Sequence, residues 1–491
     1  MLIVNLDEGK KEPIYIQIIN QIIEKIDNNN LRPGDMLPST RKLAEILGIH
    51  RATVSLAYQE LWSLGFIELN PGVCAKVRKR ANIATKTCSI HKSNIDWQKN
   101  SSQESNNIME TYIKVNTSVE NEDSSEYIDF STLNMDTKIF PVENFRTCLN
   151  ETIKKNGTEL FQYGDPLGYQ PLREYISYHL KNHGISVSPE EVFITNGTQQ
   201  AIDLVLRMIA EPGKSVAIEA PTYKEIIPLI KHFKLEAMEI PIDKNGMNLS
   251  ILEEKIKVKK PVLIYTMPNF QNPTGVTTDQ IHREKLIYIA EKYRIPILED
   301  GFEEEMKYFG KVVLPIKSMD KHNVVIYCST FSKVLFPGIR VGWIAADEEC
   351  IKRLTALRHF SEISLSMVLQ AGMYNFCIRG FYDKHINKLH RIYRKRMQIA
   401  LNSLNKYVNK DLAEWIEPIG GYFIWLKLKE KPSLCLDKVF NMYGIKVSLG
   451  NNYFFSVTSD TYLRLSISAL SEEEMVEGIK RLGNAISSIY K

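Results

Sequence analysis

Cysteine is scarce in this chain and poorly spaced for structural work. The seven residues, Cys74, Cys88, Cys148, Cys328, Cys350, Cys377 and Cys435, are scattered, odd in number and form no C-x-x-C pair. That pattern argues against a disulfide framework and against a cysteine zinc site. Long apolar runs are also missing, so nothing in the sequence is fit to span a bilayer. The start, MLIVNLDEGKKEPIY, meets charges at once and has no signal core. These absences read as a reduced, cytoplasmic protein without a membrane segment. An excess of one charge is lacking too: 62 Lys and Arg face 58 Asp and Glu, a formal net charge of +4. So small a balance does not mark a nucleic-acid binder, and a case for DNA must rest on local residues. No repeat of solenoid period is present.

What is present is ordinary globular material, 44% hydrophobic and 24% charged, in a chain of 491 residues long enough for two or more domains. Composition changes twice. Residues 1–80 combine helical apolar spacing with turn signals. Residues 81–126 are rich in Asn, Ser, Thr, Lys and Glu without a sustained period, which reads as a flexible linker, with a short strand or helix at Met109–Val115 as an option. From 127 to 491 short apolar runs alternate with amphipathic ones. Val192–Thr195, Ser215–Ala220, Pro261–Met267, Pro296–Glu299, Val324–Ser329 and Val341–Ala346 read as buried strands, with helices such as Gln199–Glu211 and Gln280–Tyr293 between them. Such alternation predicts an α/β domain with a mostly parallel sheet and ligands at the carboxyl ends of its strands.

In the first segment Ile14–Asn28 has helical spacing, Arg32-Pro33-Gly34-Asp35 turns, and Ser39 is placed to cap a second helix that Gly48 ends. A third helix follows at Arg51–Leu64. Phe66–Leu69 and Cys74–Val77 then flank Asn70-Pro71-Gly72, a hairpin signal. This is a helix-turn-helix with a wing. A recognition helix offers its N-terminal residues to base edges, here His50, Arg51 and Thr53, and Arg51 suits a bidentate contact to guanine. Ser39, Thr40 and Arg41 start the preceding helix and suit phosphates, as does the basic run Lys76, Arg78, Lys79 and Arg80. The competing reading is a helical interaction module with solvated charges. The stretch RPGDMLPSTRKLAEILGIHRATVSLAYQELWSLGFIE, however, resembles the winged helix of GntR-type regulators over residues 12–78. That resemblance makes Arg41, Arg51 and Thr53 the expected DNA contacts.

In the second segment Lys333 stands in Ser329-Thr330-Phe331-Ser332-Lys333, just past a strand, where a desolvated lysine can form a Schiff base. A lone lysine is more often a solvated surface charge. Arg340 follows and can clamp a phosphate. Asn196-Gly197-Thr198-Gln199-Gln200 links a strand to a helix, which is anion-site geometry or a plain βα turn. Asp300 ends a strand and can pair with a pyridine nitrogen or merely cap a helix. Tyr223 can stack on a ring, and Asn272, in Asn272-Pro273-Thr274-Gly275, can hydrogen-bond a ring hydroxyl or simply precede a turn.

In this order the motifs resemble the fold-type I pyridoxal 5'-phosphate (PLP) enzymes, the aspartate aminotransferase superfamily, from about 128 to 487. Tyr163-Gly164-Asp165-Pro166-Leu167-Gly168, Gly420-Gly421-Tyr422-Phe423 and Arg464-Leu465-Ser466 extend the match. By that resemblance Lys333 carries PLP, Asp300 pairs with its ring nitrogen, Thr198, Thr330, Ser332 and Arg340 hold the phosphate, Arg464 binds a substrate α-carboxylate, and Tyr163 reaches the cofactor of a partner subunit. The chain departs from the pattern at Glu299-Asp300-Gly301-Phe302, where relatives with the same winged helix carry E-D-D-Y. Phe302 cannot donate the hydrogen bond that the tyrosine gives the ring oxygen.

Winged helix, linker and fold-type I domain together resemble the MocR-type regulators. The resemblance implies a homodimer on double-stranded operator DNA whose PLP domain senses an amino acid, an amine or PLP itself. Its large part is expected at about 165–350 and its small part at 127–164 and 351–491. A working aminotransferase with a DNA-binding head is the alternative.

Overall fold

The computed structural model describes residues 4–7, 12–69, 74–78, 95–116, 127–302, 304–310, 313–432 and 434–490. The chain divides into two compact units, Met1–Asn100 and Ser101–Lys491.

In the first unit helices Ile14–Asp27, Thr40–Leu47 and Arg51–Ser63 precede an antiparallel pair, Ile67–Glu68 with Lys76–Val77. Ile18, Ile22, Leu43, Val54 and Leu61 recur at helical spacing, and their burial against Ile67 and Val77 makes the core. Ser39 caps the second helix as expected, its hydroxyl accepting from the Lys42 N–H at 3.2 Å. Gly48 ends that helix in the left-handed conformation, φ 66°. The Tyr58 hydroxyl donates to the Pro38 carbonyl at 2.8 Å and ties the third helix to the start of the second. The turn Asn70-Pro71-Gly72 and the residues Lys79 and Arg80 lie outside the described residues.

The expected linker is corrected in part. Trp97–Asn100 and Gln103–Asn116 are helical. The second of these packs on helix Ile226–His232, with His232 Nδ1 3.2 Å from Glu104. Ile108, Met109, Tyr112 and Ile113 form one helical stripe, too few apolar residues to stand out in so polar a stretch. Residues 81–94 and 117–126 lie outside the described residues.

The second unit is built on an eight-stranded sheet. Its spatial order is Val192–Thr195, Gly342–Ala345, Val325–Thr330, Ile297–Asp300, Leu263–Thr266, Ser215–Ala220, Glu236–Asp243 and Gly246–Met247. The four central pairings are parallel and the outer ones antiparallel. Every predicted strand is present. The predicted Pro296–Glu299 is Ile297–Asp300, so Asp300 is the last residue of its strand rather than the first beyond it. Central strands are buried along their whole length, as a sheet covered on both faces requires. A smaller antiparallel sheet, in spatial order Ala413–Trp415, Phe423–Leu428, Thr461–Ser466 and Ser448–Leu449, follows later in the chain. Helices Phe381–Tyr407 and Glu472–Ile489 pack on each other beside it. The unit is thus α/β, a mostly parallel sheet flanked by helices with a smaller α/β part.

Candidate functional site

Tyr223 lies within electrostatic reach of Asp300, Arg340 and Arg464 at the carboxyl ends of the central strands, whereas Tyr163 stands exposed. Asp300 is 2% exposed, and both of its bonds described here come from neutral donors: the Tyr265 hydroxyl at 3.0 Å and the Phe302 N–H at 3.3 Å. Burial pushes its pKa up to about 7, although both bonds oppose the rise. A cationic ring N–H beside it would restore the carboxylate. Glu219, one strand beyond Tyr265, is also raised to about 7 by burial, against hydrogen bonds from Thr266 and Gln271.

Two glycines shape a candidate anion cradle. Gly197 precedes helix Thr198–Ile209 at φ 79°, and no side chain caps that helix, so its first N–H groups are left for an anion. A Cβ on Gly197 would lie 2.8 Å from the Arg340 guanidinium, and one on Gly342 would lie 2.7 Å from the Gly197 Cα. Only glycines let these strands and the arginine approach so closely. Arg340 itself takes a left-handed φ of 50° and donates to the Asn196 carbonyl. Thr330 donates to the Val341 carbonyl at 3.0 Å and accepts from the Ser332 N–H at 3.0 Å. The Ser332 hydroxyl is buried with no hydrogen-bond partner among the described residues. An orphan of that kind costs about 1–3 kcal/mol unless a ligand satisfies it. Helix N-terminus, guanidinium and unsatisfied hydroxyl fit a phosphate monoester.

Lys333 lies in the turn after Val325–Thr330, half-buried, and its carbonyl accepts from the Tyr422 hydroxyl at 2.9 Å. Thus the Gly420-Gly421-Tyr422 segment holds the lysine turn. Tyr223 donates to Gln199 Oε1 at 3.2 Å, which orients the ring beside the Thr198 helix start. Arg464, 3% exposed, donates to Asn272 Oδ1 at 3.1 Å and to the Ser131 carbonyl at 2.6 Å. Its guanidinium lies 4.3 Å from the Phe423 ring centre and 5.2 Å from that of Tyr453. Asn272 therefore bonds Arg464 through its oxygen, and its amide nitrogen is the donor suited to a ring oxygen. Phe302 is buried and carries no hydroxyl. Tyr163 is 81% exposed.

Sequence reasoning missed Tyr265, Glu219 and Glu362. Glu362 accepts from Asn196 Nδ2 at 3.1 Å and from Gln200 Nε2 at 2.9 Å, and so fixes the turn that carries Gly197. A tyrosine in the run Leu263–Thr266 was a signal, because a buried hydroxyl demands a partner. Glu362 gave none, being more than 160 residues from the turn it holds.

In the first unit Arg41, His50 and Arg51 are exposed and Thr53 is half-exposed. His50 caps the third helix, accepting from the Ala52 N–H at 3.4 Å, and Arg51 Nε lies 3.4 Å from the Thr40 hydroxyl. Ser39 is engaged as a cap. The starts of the second and third helices thus lie side by side with their cations outward.

The family model for aminotransferase class I and II matches residues 125–482. The chain belongs to that family. The model for bacterial regulatory proteins of the gntR family matches residues 14–77, which gives the whole the MocR-type architecture. The HTH-type transcriptional regulator YdfD of Bacillus subtilis is 30% identical over 98% of this chain and 98% of its own length. Aromatic-amino-acid aminotransferase 1 of Thermococcus litoralis is 35% identical over 72% of this chain and 86% of its own. The crystal structure of a multiple substrate aminotransferase from Thermococcus profundus superposes with a TM-score of 0.76 at 30% identity, covering 81% of this chain and 99% of that one. PLP is the cofactor of this family, and the cradle just described fits it. Among the described residues no helix is long and apolar enough to cross a membrane.

Proposed function

We propose that this MocR-type protein is a cytoplasmic transcription factor that binds double-stranded operator DNA as a homodimer and senses an amino acid or amine at a PLP site centred on Lys333. The observation that carries the reading is the exposure of Arg41, His50 and Arg51 on a packed winged helix, in the chain that also holds the cradle. When bound, PLP supplies an aldehyde carbon that primary amines take up and a ring that accepts electrons. Lys333 would be the chain's own amine at that carbon, in competition with the effector's. Asp300 holds the proton of the ring nitrogen. Thr198, Thr330, Ser332, Arg340 and the N–H groups around Gly197 and Gln199 bind the phosphate. Tyr223 would cover the ring, and the Asn272 amide would donate to its oxygen. Arg464 turns from neutral acceptors to the effector's α-carboxylate, a charge-assisted pair. Tyr163, exposed on the single chain, reaches the site of the partner subunit. On DNA, Arg51, His50 and Thr53 read bases while Ser39, Thr40 and Arg41 hold phosphates.

A working aminotransferase is the second reading, favoured by the buried, hydrogen-bonded states of Asp300 and Arg464. Absorbance titration separates the two. Purified full chain with PLP receives a panel of amino acids and amines, then 2-oxoglutarate. A shift of the cofactor band without conversion to the amine form is the sensor result, and cycling between the two forms is the enzyme result. Lys333→Ala is expected to lose the yellow band and stay folded; a band that survives puts the covalent link elsewhere.

A further inference from the structure

Behind the cradle lies a cluster that the PLP reading does not use. Helix Gln170–Lys181 and the turn after it present His179 and His183, one helical turn apart. The segment after Asp300 brings Glu304 and Glu305 to them. His179 Nε2 is 3.0 Å and His183 Nε2 3.4 Å from one oxygen of Glu305. Those three donor atoms all lie within 4.8 Å of one another. The other ring nitrogen of His183 is 3.0 Å from Glu304 Oε1, and the second oxygen of Glu304 accepts from the Tyr327 hydroxyl. His390 holds the Glu305 carbonyl and so fixes the backbone of the last ligand. The side chains of His179, His183, Glu304 and Glu305 are 13%, 21%, 10% and 23% exposed. A cavity of about 10 Å³ adjoins them, lined also by Gly301, Ser329 and Thr330. That is room for about one water-sized sphere.

We propose that His179, His183 and Glu305 bind a divalent zinc ion, with Glu304 orienting His183 from behind and a fourth position left to solvent. Two imidazoles and one carboxylate are a zinc donor set of the kind that keeps an open position. A carboxylate on the far nitrogen of a ligating histidine fixes its tautomer and raises its basicity. One dication would take Nε2 of both rings and the Glu305 oxygen that they share, with the far nitrogen of His183 left to Glu304. The oxygen-preferring ions calcium and magnesium do not suit two nitrogens. The Gly301–Glu305 segment follows directly on Asp300, so the ion would tie the ring-nitrogen partner to helix Gln170–Lys181.

The test uses the full, tag-free chain loaded with PLP and stripped of metal by a chelator. Zinc is titrated calorimetrically, and cobalt is added as a spectroscopic probe. Expected are one zinc per chain with a Kd in or below the micromolar range, visible cobalt bands, and a weakening of about 10–100-fold in Glu304→Gln. His179→Ala and His183→Ala are expected to abolish both signals. Retention of the cofactor's visible absorbance by each variant shows that it is folded, and Glu305→Gln supplies a third, smaller change. No heat and no cobalt bands, equal binding by the histidine variants, or a preference for calcium or magnesium would each overturn the assignment.

Discussion

Asp300 is where the chemistry of single residues is most exposed to test. Its pKa lies near 7 instead of 3.8 because burial penalises the charged form. Below pH 3.8 both folded and unfolded chains hold the proton and there is no penalty. Between 3.8 and 7 the unfolded chain gives the proton up first, so the cofactor-free fold loses stability as pH rises. Above 7 the loss is complete, at most on the order of 4 kcal/mol for a shift of about three units. Asp300→Asn is therefore expected to raise the melting temperature of the cofactor-free protein at about pH 8, with an advantage that shrinks toward pH 5. PLP should stabilise the wild type more than the variant, which keeps the phosphate contacts but loses the charged partner of the ring nitrogen. Thermal melts with and without PLP decide this; a variant no more stable than wild type at pH 8 would refute burial as the cause. Asp300 itself was readable in the sequence, from its place after an apolar strand. Its donor Tyr265 was not, because that contact depends on which strands become neighbours, and one sequence does not state sheet order. Lys333, Arg340 and Arg464 were read from local motifs for the opposite reason: each sits in a segment whose own pattern marks a strand or turn.

At the scale of elements the phosphate cradle depends on two backbones touching. Gly342 begins its strand against Gly197, and a methyl group there would stand 2.7 Å from the Gly197 Cα and 2.8 Å from the Ser329 carbonyl oxygen. Backbone cannot yield as a side-chain tip does. Gly342→Ala should leave helices and sheet in place by circular dichroism yet weaken PLP binding at least about tenfold, since 1.4 kcal/mol of misplacement is enough. Unchanged affinity by absorbance titration would mean that the cradle flexes more than its packing implies. The same logic applies to the third helix of the first unit, where Arg51 is exposed and, among the described residues, steadied by Thr40 at 3.4 Å. Arg51→Ala should cost about 1–3 kcal/mol on specific operator DNA and little on scrambled DNA; equal loss on both would make it a phosphate contact. The strands and helices named from the sequence were legible because their periods are clean, whereas the strands Ala413–Trp415, Ser448–Leu449 and Thr461–Ser466 were not read in advance. The helix Gln103–Asn116 was legible only as the option of a short strand or helix at Met109–Val115, since its five apolar residues lie in polar surroundings and its support comes from the distant helix Ile226–His232.

For the whole molecule, sensing has meaning only as a coupling between two binding events. If an amino acid at Lys333 and Arg464 changes operator affinity by some factor, operator DNA must change the amino acid's affinity by the same factor. A coupling of 1–3 kcal/mol is typical, roughly 5–150-fold. An effector would have to distinguish two states of the protein, and Arg464 offers a means, because its bonds to Asn272 and Ser131 join parts of the chain nearly 200 and more than 330 residues away. A carboxylate that takes over the guanidinium releases those bonds. Arg464→Gln should accordingly leave PLP bound, weaken amino-acid binding by about 2–5 kcal/mol and remove the coupling, while amines without a carboxylate keep their affinity. The measurement is a pair of titrations: amino acid followed by cofactor absorbance with and without saturating operator, and operator followed by anisotropy with and without amino acid. Equal shifts in the two establish the linkage. Strong amino-acid binding with no shift in either would leave the C-terminal unit an enzyme that shares a chain with a DNA-binding head.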